Sequence, residues 1–536
     1  MANHRVRARP PRGEATDLRL AGDADTIAAH LEDAAHVRGG RADAVAWPRS
    51  EAAVAALIRN SSQILPIGAQ SSVTGGATPS GGLILSTAKL TGIQLYGDHA
   101  RAGAGVPLTE LQTALSTRTR WYPPVPTFTG AFAGGVVATN AAGAATFKYG
   151  GTRDWVEALT IVLASGDVLE LSRGDCLAAD DGWAEIQGVD ARRRIRVPSY
   201  RMPDVPKRSA GYFAAPGMDL IDLFIGSEGT LGVVVDITFR VARTPPAVAL
   251  AFVPVESEPE AIALVDELRA ASQATWRTRD ARGIDVAAIE HMDRRSLAVV
   301  REDGVDRQLG MSWPASTSVA LLVQLELPTG TDAARVYDEV GRAREPDAPD
   351  TPIVRFCKLL DRHGVLDTTE LAPPGDRRRA EALLALREAV PNGVNHRVGT
   401  AKRTIDAAIE KTAGDMIVPF ESFAGMLALI RDAFERRGLD YAVWGHISDG
   451  NVHPNVIPRS LDDVKAGREA ILEIGREVTR LGGCPLAEHG VGRSAVKQAQ
   501  LRDLYGAQGI DEMRAVKRAL DPEWKLAPGV IFAVTD

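Results

Sequence analysis

"PIGAQSSVTGG", Pro66 to Gly76, ends a short apolar strand and runs straight into small residues. A run of small residues exposes successive backbone N–H groups, which together form an anion-binding concavity. Gly68, Ala69, Gln70, Ser71 and Ser72, followed by Gly75 and Gly76, include no bulky side chain to keep a diphosphate off the main chain. Just upstream, "AVAW" reads as a strand, and Ser50 can cap a short amphipathic helix in "SEAAVAALIRN". Residues 43–90 therefore read strand, helix, strand, with the small-residue loop opening from the second strand.

Two later stretches have the same character. "TGAFAGGVVATNAAGAATFKYGGTRDWV" begins at Thr129, and its Gly130, Gly134, Gly135 and Gly143, with Thr139 and Asn140, leave room for a flat or extended ligand. "IGSEGTLGVVVDITF" places Glu228 and Gly229 just before a strand that takes in Val233. A single glycine-rich turn is more often structural than ligand-binding, so no one loop decides the matter. "GAGVPL" (103–108) lacks the third glycine of a dinucleotide fingerprint, and no GxxxxGK[ST] occurs, so a Rossmann NAD site and a P-loop are both disfavoured.

The chain has 536 residues, enough for two to four domains. A net charge of −7 and a pI near 5.9 give no electrostatic footprint for nucleic acid. Three scattered cysteines with no CxxC fit a reducing compartment. No stretch has the composition of a membrane helix. The Arg-rich start carries Glu14 and Asp17 and has no apolar core, so it reads as a frayed arm, not a leader. A cytoplasmic location is the default, with peripheral attachment to a membrane left open.

Further along, "EALTIVLASGDVLEL" (157–171) reads as two strands about a Ser-Gly-Asp turn, and "LGVVVDITFRV" as a half-buried strand. After "RTPP" the pattern becomes strand, helix, strand, helix, which suggests a sheet covered on one face. Residues 344–379, rich in Pro, Asp and Arg, are expected to include surface loop, and the chain beyond Pro458 reads as helical. The expected layout is α+β: an arm with a helix (1–42), a domain carrying the glycine loops (43–245), a strand–helix domain (246–457) and a C-terminal helical segment (458–536).

"YAVWGHISDGNVHPNVI", Tyr441 to Ile457, carries two histidines seven residues apart. "SDGN" is turn chemistry, so the flanks read as a hairpin, not a helix. With Ser448–Asn451 as the loop, His446 opposes His453, and Trp444 with Asn455 forms the next pair on that face. Opposed residues have Cβ atoms about 4.5–5.5 Å apart, close enough for two imidazoles to share an ion. A third ligand is needed, and "AEHGVGR" offers Glu488 beside His489. Two His and one Glu form a common catalytic zinc set.

Taken together and in order, "PIGAQSSVTGG", "GGVVATNAAGAATFKYGGTRD" and "GSEGTLGVV" resemble the FAD-binding domain of the vanillyl-alcohol oxidase / p-cresol methylhydroxylase (PCMH-type) flavoproteins. "GHISDGNVHPN" and "AEHGVG" resemble the C-terminal signatures of the FAD-linked D-2-hydroxyacid dehydrogenases, the D-lactate, glycolate and D-2-hydroxyglutarate group. The resemblance extends over nearly the whole chain after residue 43. It implies a two-subdomain FAD domain, a ferredoxin-like α/β cap domain and non-covalent FAD, since Ala69-Gln70-Ser71-Ser72 holds no histidine for flavin attachment. Gly68 to Ser72 would cradle the diphosphate, and the residues around Gly130–Asn140 and Gly143, with Glu228 and Gly229, would line the rest. His446, His453 and Glu488 would bind a divalent metal, zinc first among candidates. His489 would be the acid/base, Asn455 would contact substrate, and Arg387 would pair with its carboxylate. The implied reaction oxidises a D-2-hydroxy acid to the 2-oxo acid with hydride transfer to flavin N5.

The electron acceptor is left open between a quinone, a cytochrome, an electron-transfer flavoprotein and O₂. A homodimer is equally open. "CPLA" ahead of Glu488, Ala527 where Asn is common in the family, and the basic Arg397, Lys402 and Arg403 depart from the pattern. Competing readings are a non-redox flavoenzyme resembling alkylglycerone-phosphate synthase, an O₂-using sugar or alcohol oxidase, and a non-catalytic flavoprotein subunit.

Overall fold

The computed structural model describes residues 3–16 and 18–533. Asp17, the first two residues of the arm and the last three of the C-terminal segment lie outside the described residues. The chain divides into two compact units. The first comprises the chain up to Gly143, Gly150–Arg243 and the chain from Leu486 on. The second comprises Ala144–Tyr149 and Thr244–Pro485.

Two main sheets build the first unit, as a two-subdomain FAD domain requires. In one, the parallel strands Ala44–Ala46, Leu83–Ser86 and Ile64–Ile67 lie side by side. The crossover helix Glu51–Asn60 starts where Ser50 Oγ accepts the Ala53 N–H at 3.2 Å, and it buries Ala52, Ala53, Val54, Ala55, Leu57 and Ile58. The other sheet is antiparallel, ordered Val168–Ser172, Val156–Val162, Val233–Arg240, His99–Gly103, Ile93–Tyr96. The predicted hairpin at 157–171 and the strand at 231–241 both form.

The arm is not frayed. Arg5–Arg7 adds a parallel strand to Trp183–Gln187, and Arg9 reaches Glu51 and Glu170, each at 2.6 Å. An unpaired sheet edge and two waiting carboxylates hold it, and neither is visible from the local sequence.

The second unit is built on one antiparallel sheet, ordered Glu370–Ala372, Ala247–Val255, Val319–Leu327, Val286–Asp293, Tyr441–His446, Asn451–Val456, Thr412–Ala413, with Met416–Ile417 also pairing to Asn451–Val456. Burial runs almost without alternation along Ala247–Val255 and Val319–Leu327, so both faces of the sheet are covered, not one as expected. The near-continuous apolar runs "AVALAFVPV" and "VALLVQLEL" carried that signal. One face closes on the helices Arg294–Glu302 and Arg377–Thr404 through Phe252, Met292, Leu322, Trp444, Leu383 and Val390.

The segment 344–379, expected to include surface loop, also holds a helix, Pro352–Arg362, capped by Thr351 and burying Ile353, Val354, Phe356, Leu359 and Leu360. Its apolar spacing wins over the flanking Pro and Asp. The helices expected after Pro458 form as Leu461–Arg480 in the second unit and Ala495–Leu520, kinked at Gly506, in the first.

Candidate active site

In the first unit the strand Ile64–Ile67 delivers the chain to Gly68. Gln70 takes left-handed backbone, φ +51°, and its Nε2 donates to the carbonyls of His30 and Ala77, both at 3.0 Å. Its side chain therefore braces the loop, and its carbonyl accepts the Ala34 N–H at 3.0 Å. The buried Asp33, not foreseen, accepts the N–H of Ala77 from this loop at 3.2 Å and that of its own neighbour Ala35 at 3.1 Å. Ser72 Oγ lies 3.1 Å from Thr74 Oγ1.

The glycines of the second stretch divide by role. A Cβ at Gly134 would come within 2.7 Å of the Ala104 Cβ, so that glycine permits close backbone packing. At Gly135 a Cβ would meet nothing within 4 Å, and at Gly68 only ordinary contacts with Phe132 and Gly135. Gly68 and Gly135 thus form the open side of a backbone cradle, which fits an extended cofactor bearing a diphosphate. Gly143 is crowded by the Val125 carbonyl, and Gly130 by the Phe128 ring. Thr139 Oγ1 donates to Gly135 O at 3.0 Å, and Asn140 Oδ1 accepts the Arg153 N–H at 3.0 Å. Val233 is core, and Thr129 O accepts the Thr109 N–H at 3.1 Å.

Glu228 anchors a second loop. Its carboxylate accepts the N–H groups of Val491 and Gly492, both at 2.8 Å, while its own N–H donates to Ala138 O at 2.8 Å. Gly490 and Gly492 are left-handed, and a Cβ on either would strike Glu228 or Thr74. Alternating glycines around Val491 form an anion nest, and the anion is a protein side chain. Burial pushes this carboxyl up to about 7, against the pull of the two N–H donors. Arg493 ties the loop to the first glycine stretch through its N–H to Thr74 O and its Nε to Thr78 O, each at 3.0 Å. Gly229, at φ +73°, sits against Pro66.

That clamped loop carries Glu488 and His489. Lys207, fully buried, brings its Nζ to 2.6 Å from Glu488 Oε1, and Ser209 N–H donates to Ala487 O at 3.0 Å. Glu488 Oε2 lies on the His489 side, 3.9 Å from Nε2. His489 is about one-third exposed, the remainder of the loop being buried or nearly so.

In the second unit the histidine hairpin forms with a different register. Trp444, not His446, pairs with His453, and Ala442 pairs with Asn455. A 3-10 turn at Ile447–Asp449 and left-handed Gly450 lengthen the connection by two residues at the His446 end. A shift of two preserves the faces of both strands. His446 and His453 become diagonal neighbours, with ring centres 5.5 Å apart and planes at 87°. Both are buried, as is Asn455, whose Nδ2 donates to His453 O at 2.9 Å.

Each imidazole has a carboxylate at Nδ1. His446 Nδ1 is 3.1 Å from Glu290 Oε2, and His453 Nδ1 is 3.5 Å from Asp415 Oδ1. An imidazole whose Nδ1 faces a carboxylate presents Nε2 on the other side, the arrangement metal-ligating histidines adopt. Two buried imidazoles so oriented fit a transition-metal donor set. Arg387, buried on the helix Arg377–Thr404, places Nη2 3.1 Å from the same Glu290 oxygen and Nη1 2.9 Å from Glu388. Pro391 has no amide to return to the Arg387 carbonyl, which loosens the helix at that point. Burial raises the Glu290 carboxyl, but Arg387 and His446 outweigh it and bring it down to about 2. Arg397 is engaged by Glu302 (2.7 Å) and Asp303 (2.9 Å), so it is no anion receptor.

Glu290, Asp415 and Lys207 escaped the sequence reading. For Glu290 a signal existed: an acidic residue in the apolar strand "VAAIEHMD" needs a partner.

Residues 256–531 match the family model described as FAD linked oxidases, C-terminal domain, and residues 42–172 match the FAD binding domain. The chain belongs to the FAD-linked oxidase family and is an FAD-dependent oxidoreductase. It is 28% identical over 504 residues to glycolate oxidase subunit GlcD of Bacillus subtilis, covering 92% of this chain and 89% of that protein. It is 27% identical to D-2-hydroxyglutarate dehydrogenase of Xanthomonas citri pv. viticola (92% and 90% covered) and 26% identical to D-lactate dehydrogenase of Archaeoglobus fulgidus (87% and 84%). Alkyldihydroxyacetonephosphate synthase shares the fold, with TM-score 0.57, 15% identity, and 97% and 87% covered. Among the described residues, no helix is long and apolar enough to cross a membrane.

The first glycine loop contains no residue able to link covalently to a flavin, so acid precipitation is expected to release all the yellow colour into the supernatant. A yellow pellet would contradict that.

Proposed function

We propose that this protein is a metal-assisted, FAD-dependent dehydrogenase of D-2-hydroxy acids. The observation that carries the reading is the pair of buried strand histidines, each with Nδ1 against a carboxylate, beside a buried arginine. The names of the relatives, all pointing to 2-hydroxy acid chemistry, support it. His446, His453 and Glu488 would hold a divalent cation, with zinc the first candidate on donor type. A cation there supplies Lewis acidity toward the substrate hydroxyl, and FAD supplies the two-electron acceptor for the hydrogen on Cα. The chain's own residues do the rest. Arg387 offers a planar guanidinium to the substrate carboxylate, which orients the molecule. Asn455 lies on the same strand face as His453 and contacts the substrate. His489 takes the hydroxyl proton; the oxidation removes that proton and a hydride, leaving the 2-oxo acid.

The test is anaerobic bleaching of the bound flavin against paired D- and L-2-hydroxy acids (lactate, glycerate, 2-hydroxyglutarate, malate). The expected result is bleaching by one or more D acids and by none of the L forms. Bleaching by sugars or simple alcohols, with no response to any hydroxy acid, would defeat the proposal.

A further inference from the structure

We propose that Glu290 is a positioning residue that couples metal binding to substrate binding, by holding the ligand histidine His446 and the carboxylate-binding Arg387 with one oxygen. This rests on the roles proposed above for His446 and Arg387. Glu290 lies in the middle of the strand Val286–Asp293 and pairs in register with His446 on one side and Leu322 on the other. On that face its neighbours include the apolar Met292, Leu322 and Trp444, all part of the buried core. A carboxylate in such a place is costly unless it is paired. Its Oε2 is 3.1 Å from His446 Nδ1 and 3.1 Å from Arg387 Nη2.

A carboxylate at Nδ1 fixes the tautomer and ring orientation of a metal-ligating histidine and raises its basicity. The same oxygen fixes the plane of the guanidinium. Occupation of either partner therefore orders the carboxylate for the other, and by linkage the coupling acts equally in both directions. Asp415 supplies an internal contrast. It faces His453 Nδ1 at 3.5 Å and accepts from Asn451 Nδ2 at 3.3 Å. It stands to His453 Nδ1 as Glu290 stands to His446 Nδ1.

The experiment compares Glu290→Gln and Asp415→Asn with wild type in the FAD-loaded protein. Three quantities are read: Zn²⁺ affinity by competition with a chromophoric chelator, FAD per chain, and KM for the D-2-hydroxy acid at saturating Zn²⁺. Glu290→Gln is expected to weaken Zn²⁺ about 10–100-fold, to raise KM by a similar factor even with zinc saturating, and to leave FAD content unchanged. Asp415→Asn is expected to weaken Zn²⁺ but leave KM at saturating zinc near wild type. Glu290→Asp keeps the charge and withdraws it from both partners, so smaller losses of the same two quantities are expected; it also serves if the Gln variant does not fold. A Glu290 variant with wild-type KM at saturating zinc overturns the coupling, and so does an Asp415 variant that raises KM equally. A wild-type protein that binds no Zn²⁺ and bleaches without it sinks the parent reading instead.

Discussion

Replacing His489 with alanine is expected to slow anaerobic flavin reduction by about 10²–10⁴-fold, the range a positioned general base supplies. FAD content should not change. The loop that carries His489 is held by backbone N–H groups of Val491 and Gly492 on Glu228 and by Arg493 on Thr74 and Thr78. Alanine at 489 touches none of those bonds. The imidazole is about one-third exposed and is not part of the apolar core. Rapid-mixing absorbance at the flavin band measures the rate, and undiminished reduction would remove His489 from the chemistry.

Lys207→Met is expected to destabilise the protein by about 3–5 kcal/mol, the usual cost of stripping one partner from a buried ion pair. The ammonium is fully buried 2.6 Å from Glu488, itself only 8% exposed. Without it a carboxylate stays in the interior beside the Glu228-clamped loop. Urea unfolding of the holoprotein measures the loss. Two further results separate charge from packing. Lys207→Met/Glu488→Met should recover much of the stability, because no charge is then left buried. Excess Zn²⁺ should narrow the single variant's deficit, because a cation at Glu488 can replace the ammonium. A single variant as stable as wild type would show that the pair carries no weight.

Much of this was legible because local signals and the fold agreed. Ser50 caps its helix, and the hairpin at 157–171 forms. The histidine hairpin was read correctly in kind, with a register off by two residues. "SDGN" identifies a turn, but only the 3-10 geometry at Ile447–Asp449 shows how much chain the turn consumes. Because a strand's faces repeat every two residues, the right side chains still share one face. Glu290 and Asp415 were missed since their partners are distant in sequence: His446 lies 156 residues beyond Glu290. The arm was misread for the same reason, its ion-pair partners being Glu51 and Glu170. Ala527 is left-handed at φ +44°, a conformation Asn adopts more readily than Ala.

The central claim is that a divalent cation held by His446, His453 and Glu488 is needed for the oxidation. The direct measurement is flavin bleaching by the active D-2-hydroxy acid under anaerobic conditions, before and after dialysis against EDTA and again after adding Zn²⁺. The dialysed protein is expected to keep its yellow flavin, fail to bleach, and recover on addition of the metal. Full-rate bleaching by protein shown to be metal-free would contradict it.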